Sequence, residues 1–328
     1  MGEMRLDPTT RAWILVESHG HNDVCEHNHD GCPFCPGNEH LTPDAIHTID
    51  NGKGWIARAF PDKKPVFRIE LDEAKQGEGL YDRMMNRGAH EVIVENPSHG
   101  TTLANISEDD ISYIFDMYAK RILDLKQDKM IRHINIFKNQ GRATGAAIEH
   151  LHSHLVASPV IPTRIEQEMR WAKHHYDMKE RCLFCDIIRQ EIRDGRRIVM
   201  ENKDFIAFCP FASIFPYEVW IAPKLHNSSF EKDIVTKDRQ MSLAQIMKGV
   251  IKCIEGITPH YHIVMHNVPN EETERFDRSI FKTLRQDFHW HFEIHPLAHE
   301  VIRPHRGNEF HINPVTAERA AEGLKRQV

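Results

Sequence analysis

The stretch His150-Leu-His-Ser-His-Leu-Val-Ala-Ser-Pro159 places histidines at the alternate positions 150, 152 and 154. Alternate residues of a β-strand lie on one face of a sheet, so a strand here presents three imidazoles together. Such a face is costly unless a metal or an anion is bound there. Three interpretations stay open: a solvated histidine-rich strand, a three-histidine zinc site, and a divided arrangement. In the last, His150 completes a zinc site, His152 is a free nucleophile, and His154 donates to a phosphate.

Phosphate chemistry suits the divided arrangement. A neutral imidazole attacks phosphorus well near pH 7 and leaves well afterwards, so a second acceptor can remove the phosphoryl group. Small residues and backbone donors are then needed around the phosphates. The segment from Asn139 to Ala147, just before the histidines, contains Gly141 and Gly145. Because glycine lets the backbone approach an anion closely, these two residues are predicted to bind substrate.

Four of the seven cysteines form two C-x-x-C pairs, Cys32/Cys35 and Cys182/Cys185. The number of cysteines is odd and the N-terminus lacks an apolar signal core, which argues against a disulfide framework. A redox motif is the alternative. Two such pairs in a chain with 24 histidines among 328 residues favour two zinc sites, each needing two further ligands. In the divided arrangement the first pair is completed by His99 and His150.

The second half of the chain repeats the landmarks of the first half in the same order. The segments EVIVENPSH (91–99) and EVWIAPKLH (218–226) both begin with Glu-Val and end with His. Each is followed by a helical stretch, a β-rich run and a histidine-rich segment, HLHSH (150–154) or HWHFE (289–293). By position, His226 and His289 therefore complete the second set with Cys182 and Cys185.

Hydrophobic periodicity predicts one main helix in each half, after Ser107 and over 242–257, and a connecting helix over 163–180. The fold class is therefore α+β, with an antiparallel sheet and packed helices in each of two units, residues 1–170 and 171–328. The net charge of −6 gives no basic field, so no nucleic-acid partner is expected. No apolar run approaches the roughly 20 residues of a membrane span, so a cytoplasmic protein without a membrane partner is predicted.

The pattern H-x-H-x-H followed by apolar residues resembles the histidine-triad superfamily. More specifically, the whole chain resembles the galactose-1-phosphate uridylyltransferase branch of that superfamily. The similarity runs nearly from end to end. The segments that carry it are RLDPTTRAWILV (5–16), CPFCPGNE (32–39), HEVIVENPSH (90–99), KNQGRATG (138–145), HLHSH (150–154), FHWHFEIHP (288–296) and INPVTAERAAEGL (312–324). That branch is a tandem duplication of the histidine-triad fold, in agreement with the internal repeat.

The resemblance implies a ping-pong reaction of galactose metabolism, in which a nucleotide sugar donates its nucleoside monophosphate to His152 and a sugar 1-phosphate accepts it. It implies a homodimer and two zinc ions per chain. It also implies that Asn139 lies near the nucleotide phosphates and that Asn38 and Glu39 belong to the nucleotide surroundings. The first zinc site implied is a structural one that braces the active-site strand, with ligands Cys32, Cys35, His99 and His150.

Some positions depart from the uridylyltransferase pattern. His154 stands where that enzyme has glutamine, Ala147 stands where a serine is expected, and ESHGHNDV (17–24) replaces an arginine-bearing loop. Two alternatives therefore stay open. One is an ADP-sugar or dinucleoside-polyphosphate phosphorylase or hydrolase, with phosphate or water as the acceptor. The other is a non-catalytic, zinc-stapled nucleotide-binding protein.

The second half keeps only part of the histidine pattern. His291 and Glu293 stand at the positions of His152 and His154, so this half is predicted not to be catalytic. A C-terminal stretch with Gly307, Phe310 and Asn313 resembles a family loop that reaches a substrate site, often across a dimer.

Overall fold

The structure is a computed structural model that describes residues 2–16, 31–72, 74–271, 282–298 and 311–327. The histidine-rich loop at 19–29, Gly307 and Phe310 lie outside these residues. The strands are β1 (Glu3–Leu6), β2 (Trp13–Val16), β3 (His47–Asp50), β4 (Trp55–Pro61), β5 (Gln76–Glu78), β6 (Tyr81–Met85), β7 (Ala89–Val94), β8 (His133–Gln140), β9 (His152–Ser158), β10 (Ile198–Glu201), β11 (Phe205–Phe208), β12 (Val219–Pro223), β13 (Tyr261–His266) and β14 (His291–Pro296). The helices are α1 (Glu108–Leu125), α2 (Thr163–Lys179), α3 (Leu183–Asp194), α4 (Phe230–Asp233), α5 (Lys237–Glu255), α6 (Leu284–Asp287) and α7 (Ala317–Lys325).

Ten strands form one antiparallel sheet in the order β10-β11-β12-β14-β13-β8-β9-β7-β4-β3. Each half of the chain contributes five strands, and equivalent strands occupy equivalent places counted from the centre of the sheet. The halves meet where β8 pairs with β13, with Lys138 opposite Ile263. A smaller sheet has the order β2-β1-β6-β5. The architecture confirms the α+β class and the duplicated arrangement predicted from the repeat.

The helices α1 and α5 bury the main apolar core against one face of the large sheet. The Ser107 side chain caps α1 by accepting a hydrogen bond of 3.0 Å from the Asp110 amide. Helix α5 begins at Lys237, before the predicted start at Ser242, because Thr236 supplies the corresponding cap. Apolar residues at helical spacing in α1 pack into the core; they are Ile111, Ile114, Phe115, Tyr118, Ile122 and Leu125.

The opposite face of the sheet carries the alternate residues of the central strands. Phe137 of β8 stacks on His154 of β9, with 5.3 Å between ring centroids, whereas Ile136 belongs to the helix-side core. His152 and Asn139 share the face of Phe137 because side chains alternate along each strand. The connecting helix α2 covers the second half of this face. Among the described residues, His154 keeps partial exposure in the first half, whereas Glu293 at the equivalent place in the second half is buried.

A buried polar network lies behind His152, on the helix side of the sheet. Lys138 Nζ lies 2.5 Å from Glu95 Oε2 and donates to the His152 carbonyl oxygen at 2.6 Å. Glu95 also accepts hydrogen bonds from the Tyr118 and Ser153 hydroxyls. Burial lowers the pKa of Lys138, and the ion pair with Glu95 opposes that change. The network therefore links the His152 backbone carbonyl to the buried Lys138–Glu95 ion pair.

We expect Glu95→Ala to lower the free energy of unfolding by about 3–5 kcal/mol, because it leaves the Lys138 ammonium buried without its partner. Urea unfolding followed by circular dichroism measures the change. The matched double variant Glu95→Leu/Lys138→Met removes both charges and should recover most of the loss. A double variant as unstable as Glu95→Ala would contradict the role of the ion pair.

Candidate active site

The first Cys/His cluster lies where the turn at Cys32–Cys35 meets the start of β9. The His150 Nδ1 atom lies 3.6 Å from the sulfur of Cys32 and 3.6 Å from that of Cys35, and His99 Nδ1 lies 3.5 Å from Cys35. The four candidate ligand atoms all lie within 4.8 Å of one another. His150 Nε2 donates to the Asn96 carbonyl oxygen at 2.7 Å, which leaves the Nδ1 lone pair facing the sulfurs.

The second cluster repeats this geometry. Cys182 directly precedes α3, and the Cys185 sulfur lies 3.4 Å from His226 Nδ1 and 3.6 Å from His289 Nδ1. His289 Nε2 donates to the Pro223 carbonyl oxygen at 3.0 Å, as His150 does to Asn96. All four ligand atoms again lie within 4.8 Å of one another.

Both clusters fit a tetrahedral metal ion. Zinc bonds of about 2.3 Å to sulfur and about 2.05 Å to nitrogen place neighbouring ligand atoms about 3.6 Å apart. The observed sulfur–nitrogen distances of 3.4–3.6 Å match that edge length. Two thiols and two imidazoles per cluster are also the donor set of a closed structural site. The two groups could therefore each hold one metal ion.

His152 is held as a neutral base. Its Nδ1 atom donates to the His150 carbonyl oxygen at 2.6 Å, so the lone pair of the ring lies on Nε2. Burial, with the nearby charges of His154 and Lys138, places the pKa of His152 well below its usual range. The edge of Phe34 contacts the ring, with 5.2 Å between centroids. A fixed tautomer with one available nitrogen lone pair is the form that a nucleophilic imidazole requires.

A chain of hydrogen bonds fixes the proton of His154. The Val66 amide donates to His90 Nδ1 at 3.3 Å, so His90 carries its proton on Nε2. His90 Nε2 lies 3.0 Å from His154 Nδ1 and donates to it, which leaves the His154 proton on Nε2. Asp62 Oδ2 lies 3.5 Å from His90 Nε2 and 3.7 Å from His154 Nδ1. The arrangement makes His154 a hydrogen-bond donor at Nε2.

Asp62 and His90 are two site residues to which the sequence patterns assigned no role. His90 opens the HEVIVENPSH segment, and the pairing of Val92 with His154 brings it beside the histidine strand. Its place at the head of this strand-like segment was the sequence signal available for His90, whereas its closeness to His154 depends on the pairing of β7 with β9. For Asp62, which follows β4, the sequence contains no comparable signal, because its position depends on how β4 pairs with β7.

The structure divides the predicted substrate residues into two groups. Asn139, near the end of β8, lies on the sheet face that carries His152. The loop that follows β8 has positive φ at Gly141 (83°) and Gly145 (81°), a backbone conformation that favours glycine. Asn38 and Glu39 instead follow the Cys32–Cys35 turn, where Glu39 begins a short 3-10 helix, Glu39–Leu41. Their side chains bond within that region, Asn38 to the Cys32 carbonyl at 2.9 Å and Glu39 to the indole nitrogen of Trp55 at 2.8 Å.

The corresponding position in the second half is filled by a buried ionic cluster. His266 Nδ1 lies 2.9 Å from Glu168 and its Nε2 lies 3.6 Å from Glu293. His291 lies 3.6 Å from Glu293 and stacks on Trp220, with 4.8 Å between ring centroids. Because Glu168 belongs to α2, the connecting helix closes this half of the sheet face. The ligand atoms of Glu168, His266, His291 and Glu293 also lie within 4.8 Å of one another.

His133 makes stability depend on pH. It is buried on β8, and neither ring nitrogen has a hydrogen-bond partner among the described residues. Burial, with the charges of His266 and Lys126, lowers its pKa to about 3. Below its ordinary pKa of about 6.5 the unfolded chain binds this proton and the folded chain does not, so stability falls as pH decreases.

We expect His133 to contribute a loss of about 2 kcal/mol in the free energy of unfolding between pH 6.5 and pH 5. His133→Leu should flatten this part of the profile, measured by urea unfolding at each pH. His174→Leu, which replaces an exposed histidine of α2, should leave the profile unchanged. An unchanged acid slope in His133→Leu would mean that this residue is not the source.

Comparisons with known proteins show the family to which the chain is similar. The family model described as galactose-1-phosphate uridyl transferase, N-terminal domain, matches residues 4–162, and the model of its C-terminal domain matches residues 166–325. The chain is 27% identical to an ADP-glucose phosphorylase from Arabidopsis thaliana, with 98% of this chain and 92% of that protein covered. It is 28% identical to a galactose-1-phosphate uridylyltransferase from Thermotoga maritima, with 99% and 98% covered.

Two solved structures are also similar to the chain over nearly its whole length. A uridylyltransferase structure matches with a TM-score of 0.81 and 27% identity, covering 99% of this chain and 98% of the other. A crystal structure of an ADP-glucose phosphorylase from Arabidopsis thaliana with bound ADP-glucose matches with a TM-score of 0.77 and 26% identity, covering 99% of both chains. Among the described residues, none of the helices combines the length and apolar character that crossing a membrane requires.

Proposed function

Because the chain belongs to the galactose-1-phosphate uridyl transferase family, we propose that it is a nucleotidyltransferase acting through a covalent nucleotidyl-His152. A nucleotide sugar is the donor and a sugar 1-phosphate is the acceptor. The observation that carries the proposal is the state of His152, a neutral ring with its proton on Nδ1 and its lone pair on Nε2. His291 of the second half makes the same Nδ1 hydrogen bond, but its ring lies against Glu293 and Trp220, whereas His152 has the donor His154 beside it.

The proposed reaction has two displacements at one phosphorus atom. In the first, His152 Nε2 attacks the α-phosphorus of the nucleotide sugar, the bond to the bridging oxygen breaks, and sugar 1-phosphate leaves with the electron pair. The ring then carries positive charge, which the His150 carbonyl oxygen stabilises through the Nδ1–H bond. In the second, a phosphate oxygen of the acceptor attacks the same phosphorus and the N–P bond breaks, which restores the neutral ring.

Two further parts of the site support this reaction. His154 presents its Nε2–H as a donor to the phosphoryl oxygens, because His90 occupies its Nδ1 atom. We further propose that the loop from Gly141 to Gly145, which directly follows β8, provides backbone donors to the phosphate. Hydrogen-bond donors held in place by the fold would thus stabilise the charge that develops on the phosphate in the transition state.

We propose that the two Cys/His clusters bind zinc, two ions per chain. The support is the donor set and the match of the sulfur–nitrogen distances to a tetrahedral edge. When bound, the metal supplies structural cross-linking rather than chemistry, because four protein ligands close the site. His150 precedes His152 by two residues, so metal binding at His150 would also fix the position of the nucleophile at the start of β9.

We also propose that residues 1–170 form the catalytic half, that 171–328 form a supporting half, and that the enzyme is a cytoplasmic homodimer. The position of His152 in the first half and the closed ionic cluster in the second support the division. The dimer rests on the family resemblance. Sedimentation equilibrium on the full chain tests it, with a mass of twice the monomer expected.

An ADP-sugar phosphorylase is the second candidate function. It is favoured by His154, which stands where the uridylyltransferase has glutamine, and by the similarity to an ADP-glucose phosphorylase over nearly the whole chain. The two candidates share the His152 intermediate. They differ in the nucleotide carried and in the acceptor, which is inorganic phosphate in the second.

One experiment separates the candidates. The protein is incubated with UDP-glucose or with ADP-glucose, and its intact mass is measured before and after addition of galactose 1-phosphate or inorganic phosphate. A UMP adduct cleared by galactose 1-phosphate supports the transferase, and an AMP adduct cleared by phosphate supports the phosphorylase. Absence of an adduct with either nucleotide sugar, and no effect of replacing His152 on any turnover, would reject both.

A further inference from the structure

The two halves of the protein touch directly at the proposed phosphate loop. Strands β8 and β13 pair at the centre of the sheet, and Asn139 of β8 lies opposite His262 of β13. The His262 Nδ1 atom lies 2.8 Å from the Asn139 side-chain oxygen. Both side chains are half-buried and point to the face that carries His152.

This hydrogen bond determines which end of the Asn139 amide faces the site. An amide oxygen only accepts hydrogen bonds, so the His262 Nδ1 atom must carry the proton and donate. The Asn139 NH2 group then points away from His262. Phosphate oxygens need donors, and an amide turned the other way would present its oxygen to them instead. Without His262, the two orientations of the Asn139 amide would compete.

A second contact from the same segment shapes the loop itself. A Cβ atom at Gly141 would lie 2.1 Å from His260 Nδ1 and 2.9 Å from the Pro259 carbonyl oxygen. The backbone at Gly141 therefore packs directly against residues 259 and 260 of the second half. Residues 259–262 thus make two contacts with the segment that begins at Asn139. His262 contacts the Asn139 side chain, and residues 259 and 260 contact the Gly141 backbone.

We propose that His262 is a positioning residue, which holds the Asn139 amide with its NH2 group toward the phosphates of the bound nucleotide. The proposal rests on the proposed function, because it assigns Asn139 to the nucleotide phosphates. It gives the second half of the chain a part in the reaction although the proposed nucleophile, His152, belongs to the first half. Asn139, which would donate to the phosphates, belongs to the first half, whereas His262, which orients the Asn139 amide, belongs to the second half.

The test measures single-turnover transfer of the nucleotide to His152 from UDP-glucose and from ADP-glucose. With the nucleotide sugar that labels the wild type, His262→Leu should lower the transfer rate about tenfold, the usual limit for one neutral hydrogen bond and its orienting effect. His262→Asn should restore the rate to within about threefold, since the asparagine NH2 group lies near the position of Nδ1 and can donate. His174→Leu, on the exposed side of α2, is the matched control and should react like the wild type.

A double-mutant cycle separates positioning from general damage. Asn139→Ala and His262→Leu/Asn139→Ala should be equally slow, because His262 acts only through Asn139. Thermal unfolding of each variant checks that the fold is intact. If His262→Leu reacts at the wild-type rate, or if its effect adds fully to that of Asn139→Ala, the inference is wrong while the proposed function stands. If the wild type forms no adduct at all, the proposed function fails and the inference falls with it.

A measurement on the resting protein gives independent information. Nitrogen-15 spectra of labelled histidine, with His262→Leu used to assign the signal, report which ring nitrogen carries the proton. A proton on Nδ1 of His262 is expected. A proton on Nε2 would overturn the inference, because His262 would then accept from Asn139 and turn the amide the other way.

Discussion

Replacing His152 with asparagine is expected to lower the rate of nucleotide transfer by at least about 10⁴-fold, because the variant lacks the nitrogen that forms the N–P bond. Asparagine keeps a polar side chain of similar reach in a buried position, so the fold should persist. The measurement is intact mass after incubation with the nucleotide sugar that labels the wild type. No adduct should form on the variant.

The equivalent residue in the second half is the control. His291 occupies the same place on β14 and donates to the His289 carbonyl oxygen at 3.1 Å, as His152 does to His150. It is enclosed by Trp220 and the ionic cluster around Glu293. Soluble, folded His291→Asn should therefore still form the adduct. Adduct formation that disappears in His291→Asn and persists in His152→Asn would reverse the assignment of the catalytic half.

Replacing Cys32 with serine is expected to remove one metal ion per chain and lower the melting temperature by more than about 10 °C. The reason is that metal binding is coupled to folding in closed Cys/His sites, and loss of one ligand gives up several kcal/mol of that binding. Cys32 is buried and next to the start of β9, so adduct formation at His152 should fall as well. Metal analysis and calorimetry on the purified protein measure both effects.

Two other cysteines make the experiment specific. Cys182→Ser should also leave one metal ion per chain, because it damages only the second cluster. Cys253→Ala changes a buried cysteine of α5 that belongs to neither cluster and should keep two. A wild type with fewer than two zinc ions per chain, or a Cys32→Ser variant that keeps both, would contradict the proposed sites.

Much of the site followed from spacing alone. The repeated landmarks predicted which histidines accompany each cysteine pair, and the structure brings all eight residues into two clusters of equal geometry. This worked because C-x-x-C turns and alternate strand positions are local patterns. The residues that hold His154 were not predicted, because Asp62 and His90 approach it only through the pairing of β4, β7 and β9.

The sequence by itself predicted the duplicated α+β fold and the two Cys/His sets, since each follows from local periodicity or from a repeated order. The choice of His152 as the reacting histidine came from the family resemblance. Only the tertiary structure decided how the two halves contact each other around the proposed active site. It joined them edge to edge at β8 and β13, closed one sheet face with α2, and placed His262 against Asn139. These contacts join residues that are roughly a hundred positions or more apart in the chain. Their register depends on how the two halves pack into one shared apolar core, which no local pattern encodes.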